Sequence, residues 1–450
     1  MSPPRTSRAT TASTSAARVS LAIDYEVIVV GAGPAGSVAA SYLAKHGHSV
    51  LVIESECFPR FHVGESLLPL GNYVFDEIGC ADKIAARGFQ PKCGGQLRSS
   101  CGSYRVVFDF ATNGIEPSTT VQVHRAEFDK LLLDHAESLG AEAVGASARS
   151  YEIDNEGVTV TFAHADESAH TARARVIIDA SGRGGLVAKS EGVRIPDPEL
   201  QKAAVFAHFR GIPRDVGIRA DDTRIVSLPN LGWSWWIPLS DELTSVGVVL
   251  DIEEYRHQDK GDLDAIFAAA VNSSSLAAQW LRDAERTTEF RAESGFSYGT
   301  ESYVGDRWFL AGDAGSFLDP VWSSGVQLAL QSGLESAKAA ILGYLQPSPR
   351  RALAAKRYER TLRRRYNFVR KFVLGFYDPA TRDLFFEPRP YFGLRRAIAK
   401  VLAGGFDLNW LDRLRMKTFF LLGRLQRRVQ LVPRQADSSS PVVGVTSDAL

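Results

Sequence analysis

The six residues Gly31-Ala32-Gly33-Pro34-Ala35-Gly36 constrain the fold more than any other segment, because they turn an apolar strand pattern abruptly into a helical one. Glu26 to Val30 reads as a buried strand, the residues through Leu43 as an amphipathic helix, and Ser49 to Glu54 as a second strand. Strand, glycine turn, helix and strand form a βαβ unit. Glycines at Gly31, Gly33 and Gly36 permit a tight turn and let backbone amides approach a pyrophosphate at a positive helix terminus. Glu54, closing the second strand 18 residues after Gly36, is placed to accept from ribose hydroxyls. The turn predicts dinucleotide binding.

A chain of 450 residues carries more than one such unit and predicts two or three lobes. Composition is that of a globular enzyme, with 45% apolar and 23% charged residues, and the zero net charge argues against nucleic acid as the main partner. Cys57, Cys80, Cys93 and Cys101 lack CxxC spacing, which predicts neither a metal site nor a disulfide framework and suits a cytoplasmic protein. Residues 1–23, rich in Ser, Thr, Ala and Arg, read as a disordered tail. The longest apolar run contains the glycine turn and is not a membrane span.

Residues 24–200 alternate strand and helix patterns, with part of a second sheet near 95–122. Residues 201–296 shift to period two and predict an antiparallel-sheet substrate lobe, 297–345 return to the first lobe, 346–434 are helical, and 435–450 are a loose tail. The helical stretch is strongly basic. It holds 22 Lys+Arg against 6 Asp+Glu, leaving 30 against 46 elsewhere. On its first helix Arg363, Arg364, Arg365, Arg370 and Lys371 alternate with Tyr366, Phe368, Val369 and Phe372. The bland reading is a solvated face; the others are docking of an acidic acyl-carrier protein or contact with an anionic membrane.

Trp308 to Gly315, WFLAGDAG, resembles the second FAD motif of the flavoprotein monooxygenase superfamily. That resemblance implies an α/β fold, with an FAD-binding Rossmann-like lobe of glutathione-reductase type, an inserted antiparallel-sheet lobe and a helical C-terminal lobe. It further implies that Asp313 holds the ribityl chain, with Arg125, Asp179 in the DASGR stretch, Ala35, Ser55, Gly312, Gly325 and Val326 as further cofactor contacts.

Three stretches narrow the resemblance to the flavin-dependent halogenases of phenols and pyrroles. GWSWWIP matches that family's WxWxIP at Trp233, Trp235, Ile237 and Pro238; at period two the first three share a strand face, an apolar wall with Trp236 on the other side. FLDPVWSSG matches FxxPxxSxG at Phe317, Pro320, Ser323 and Gly325, where a helix start offers free amides to a halide near Ser324 and Gly325. Lys92, after Pro91 and before Gly94-Gly95, falls where the family carries its lysine.

The resemblance implies that FAD, reduced by a separate flavin reductase, gives hypohalous acid with oxygen and chloride or bromide. Lys92 would then aim the halogen at an electron-rich ring. Cys93 beside Lys92 is an awkward neighbour for such an oxidant. Competing readings are an aromatic hydroxylase inserting oxygen directly, a geranylgeranyl-reductase-like enzyme of prenyl chains, and a flavin-binding sensor. The tryptophan wall and Lys92 predict separation of substrate from flavin, which the hydroxylase reading does not need.

Overall fold

Val27 to Val30 are buried because their strand, Tyr25–Val30, lies in the middle of an eight-stranded sheet with neighbours on both sides. It runs parallel to Val50–Glu54 (Ile28 beside Leu51) and to Ala169–Asp179 (Ile28 beside Ile177). Glu142–Gly145 and Trp308–Leu310 extend the sheet in parallel, and Ser147–Ile153 with Val158–Ala163 add an antiparallel meander. The helices Pro34–Lys45 and Ser324–Ala340 cross closely. A Cβ at Gly333 would stand 2.2 Å from the Ala35 carbonyl oxygen, so glycine there sets the approach. The computed structural model describes residues 22–230, 232–257, 262–346, 349–387 and 393–434; the expected tails through residue 21 and from 435 lie outside the described residues.

A second sheet is built from the period-two region. Its order runs Glu285–Arg286, Lys202–Arg210, Leu243–Asp251, Trp233–Pro238, Thr223–Ser227, Gly94–Arg98, Arg105–Asp109, with Arg291–Ser294 also on Lys202–Arg210. Alternation along Trp233–Pro238 sorts the side chains as the pleat requires. Trp233, Trp235 and Ile237 pack toward the C-terminal helices, whereas Trp236 packs the other way against Trp280, ring centroids 5.1 Å apart. Trp235 lies over Gly247 of the adjacent strand, where a Cβ would sit 2.2 Å from its ring.

Four helices, Arg351–Tyr377, Pro379–Phe386, Leu394–Leu402 and Trp410–Gln426, close over the tryptophan face. Trp322 fills the seam, 5.0–5.3 Å from the rings of Phe372, Phe376 and Phe385. Most cations of the first of these helices are held internally. Arg363 pairs with Glu359, Arg364 and Arg365 with Asp407 at 2.5 and 2.6 Å, and Arg370 with Asp197 at 2.5 Å and Glu199 at 2.6 Å. Only Lys371 of the five singled out in sequence lacks an acidic partner among the described residues; it is exposed, over the Phe420 ring. Pro388 and Pro390, expected to break the helical run, lie outside the described residues.

Candidate active site

The glycine turn is shaped by what lies behind it. Gly31 has φ +95°, and a Cβ there would meet the Ala180 carbonyl oxygen at 2.4 Å; one at Gly36 would meet the Gly31 carbonyl oxygen at 1.8 Å. Gly33 is different: its nearest neighbour at that position is the Arg60 guanidinium, 3.4 Å away. Arg60 stands over this open side, ion-paired with Asp129 at 3.4 Å and Glu56 at 3.7 Å, its buried Nε making no hydrogen bond. The Glu54 carboxylate accepts from the Ala32 amide at 2.7 Å and the Glu56 amide at 2.9 Å, and Ser55 donates to it at 3.5 Å. Glu54 therefore pins the turn itself, with lone pairs remaining for ribose hydroxyls.

Two expected cofactor contacts are engaged with the protein. Asp179 accepts from the Ser181 hydroxyl and amide and from the Val187 amide at 2.7 Å, holding the loop that backs Gly31. Arg125 forms a buried bidentate pair with Asp129 at 2.7 and 2.8 Å and donates to the Val63 carbonyl at 2.7 Å; it lies beside Gly64 and Val326. Asp313 differs from both. No hydrogen bond to its carboxylate is formed among the described residues, and burial pushes its pKa up to about 7 against the pull of Arg125, Arg183 and Arg194. Gly312, with φ +60°, brings this acid past Ala35, whose methyl would be 3.0 Å from a Cβ there. An open glycine edge, a guanidinium standing over it and a carboxylate that accepts no hydrogen bond among the described residues fit the pyrophosphate and polyol of FAD.

The second helix start is a stiffer turn. Ser323 adopts φ +53°, unusual for a side-chain-bearing residue, and caps Ser324–Ala340 without a side-chain hydrogen bond to it. Ser324 is fully buried and its hydroxyl has no partner. Phe317, its backbone paired with Tyr298, places its ring 3.9 Å from where a Gly325 Cβ would be. Free first-turn amides, a free hydroxyl and an apolar ring suit a weakly hydrated anion. Pro320 begins the 3₁₀ turn Pro320–Trp322 just before it.

Lys92 ends the short strand Gln90–Lys92, paired with Thr120–Gln122, just before the second sheet begins. It is 3% exposed. Its Nζ donates to the Ser66 hydroxyl at 2.8 Å and the Leu67 carbonyl at 3.0 Å, with Phe110 at 5.9 Å. Burial lowers its pKa to about 7, opposed by Asp222 behind Gly94. Lys92 lines a cavity of about 50 Å³ together with Leu68, Phe110, Thr223, Val321, Trp322 and Ser323. The amine and the strained serine turn thus line one cavity, to which Leu402 of the helical lobe also contributes. Cys93 is not among its lining residues.

Sequence reading missed the support of that turn. Asp319, fully buried, accepts from the Val321 amide at 3.0 Å and from the Tyr377 hydroxyl at 2.7 Å, and Tyr377 in turn accepts from Trp233 Nε1 at 2.8 Å. Burial raises the Asp319 pKa to about 6. One polar chain thereby joins serine turn, last-lobe helix and tryptophan wall. Its only signal in sequence was an acid inside an otherwise apolar FLDPVW stretch. Glu65 bonds His208 at 2.8 Å, both buried, and burial holds the His62 pKa near 4; none of the three is among the residues lining the Lys92 cavity.

Comparison with known proteins accords with this geometry. The FAD binding domain family matches residues 24–345. A 1H-pyrrole-2-carbonyl peptidyl-carrier-protein chlorinase of Pseudomonas fluorescens is 34% identical over 333 residues, 69% of this chain and 74% of that protein. The tryptophan 2-halogenase of Chondromyces crocatus is 30% identical over 444 residues, 94% of this chain and 82% of that one. Among solved structures, the flavin-dependent brominase Bmp2 superposes with TM-score 0.79 at 29% identity, covering 89% of this chain and all of that one (100%).

Proposed function

The chain belongs to the flavin-dependent halogenases, and we propose that it passes hypohalous acid from the turn at Ser323 to Gly325 to Lys92, which delivers the halogen to an electron-rich aromatic ring. The observation that carries this reading is one cavity lined by both Lys92 and Ser323. At about 50 Å³ it suits a small oxidant rather than an aromatic ring. FAD is the cofactor, which the glycine turn, Glu54, Arg60 and Asp313 would hold; when bound and reduced it would supply two electrons that, with two from chloride or bromide, take oxygen to hypohalous acid and water.

The chain's own groups do the rest. First-turn amides and the Ser324 hydroxyl hold the halide. Trp233, Trp235 and Ile237, in one apolar cluster with Val321 and Trp322, wall the interior from bulk water and keep the organic ring apart from the cofactor. Lys92, with a pKa near 7, is available in both protonation states. As ammonium it donates a hydrogen bond to hypohalous acid. As amine it takes the halogen and releases water, then hands the halogen to the ring as the ring loses a proton.

The pyrrole-carbonyl chlorinase relative acts on a carrier-tethered pyrrole, which supports an electron-rich pyrrole or phenol as the substrate and a carrier protein as its vehicle. Reduced flavin comes from a separate reductase. Mass spectrometry of products from phenols and pyrrole carbonyls, free and carrier-loaded, with added reductase and either halide, tests this. Products heavier by one halogen, dependent on halide, are expected. Halide-independent gain of oxygen would mean direct hydroxylation.

A further inference from the structure

The basic character of the helical lobe resolves into two populations. Arg363, Arg364, Arg365 and Arg370 are consumed by internal acids. Lys371, Lys417 and Arg424 have no acidic partner among the described residues, and all three are exposed. They lie close enough that Lys417 and Arg424, after burial itself, hold the Lys371 pKa below its ordinary value. Uncompensated like charges gathered on one surface are an anion site waiting for a partner.

Beside them runs an apolar ridge. On Trp410–Gln426, Met416, Phe419 and Gly423 face inward, whereas Trp410 is 76% exposed, Leu414 and Leu421 54% each, and Leu425 43%. These four recur at helical spacing and share one stripe about 22 Å long, at ~1.5 Å per residue. Lys417 and Arg424 border it along one side. We infer that this face of Trp410–Gln426 lies on an anionic membrane surface, with the leucines and Trp410 in the acyl boundary and the cations at phosphate level.

Charge selects among occupants. A second copy of the chain would bring cations against cations, since the helix has one acid, Asp412, and it is buried against Lys400 and Arg415. An acidic protein helix would seek a groove, but side chains this exposed form a ridge, which meets a plane better than it clasps a rod. Among the described residues no helix is long and apolar enough to cross a membrane, so the contact is superficial.

Co-sedimentation of the full chain with vesicles decides the matter. Phosphatidylcholine containing about 30% phosphatidylglycerol should retain the protein and phosphatidylcholine alone should not, with binding lost near 0.5 M salt. The double variant Lys417→Glu/Arg424→Glu should bind at least roughly 30-fold more weakly, and Leu414→Glu/Leu421→Glu should not bind. Because these side chains are exposed, unchanged thermal melting confirms folding of both. Absence of binding to anionic vesicles, binding indifferent to the leucine variants, or retention only by an acidic acyl-carrier protein each overturns the inference.

Discussion

The helices Pro34–Lys45 and Ser324–Ala340 both begin at turns whose first amides have no intrahelical partner, yet the two turns are built differently. At the first, the glycines Gly31, Gly33 and Gly36 are close in sequence and the acid that pins the turn ends the next strand, with only the Ala180 carbonyl behind Gly31 coming from far along the chain. At the second, Ser323 is held in a left-handed conformation by groups from afar, through Asp319, Tyr377 of the helical lobe and Trp233 of the second sheet. A cofactor turn needs only permissive backbone. The serine turn borders a cavity whose walls come from separate parts of the chain.

The contrast can be broken at its strongest point first. Gly36→Val puts a Cβ 1.8 Å from the Gly31 carbonyl oxygen, backbone against backbone, and should cost on the order of 3 kcal/mol or more together with bound flavin, read from visible absorbance per chain. The buried lysine comes next. With its pKa lowered from 10.5 to about 7, the folded chain binds fewer protons than the unfolded chain between those values, so stability rises with pH across that window. Lys92→Met removes this dependence; relative to wild type it should be more favourable at pH 6 than at pH 9 by roughly 2–3 kcal/mol in denaturant melts.

Asp319→Ala strips Tyr377 and the Val321 amide of their acceptor, an expected loss of about 2 kcal/mol and a rise in halide KM of roughly tenfold, with flavin affinity unchanged. A parallel loss of flavin would mean the two turns are not independent. The smallest effect is the sharpest. The Ser324 hydroxyl is buried without a protein partner, so Ser324→Ala should leave stability within about 0.5 kcal/mol while raising halide KM a few-fold.

What could be read in advance follows the same division. The glycine turn, Glu54 and the sorting of Trp233, Trp235 and Ile237 away from Trp236 were legible because strand and helix periodicity are local. Gly333 beneath Ala35, Gly247 beneath Trp235, and Asp319 beneath Tyr377 were not, since each answers to a partner far along the chain. The ion pairs of Arg364, Arg365 and Arg370 were not legible for the same reason: their acids, Asp407, Asp197 and Glu199, lie outside that helix, whereas Arg363 pairs with Glu359 within it. Lys92 was located by its neighbours in sequence, but its partners Ser66 and Leu67 and its burial belong to the fold.

The most direct measurement concerns that amine. Lys92→Met keeps the unbranched stem and removes the terminal nitrogen, and the variant can be supplied with reductase-generated reduced FAD, oxygen and bromide while oxygen uptake, brominated product and free hypobromous acid are followed together. Oxygen uptake near the wild-type rate, product down by at least about a hundredfold and hypobromous acid escaping to a scavenger are expected. Brominated product at the wild-type yield would show that the halogen reaches the ring without Lys92.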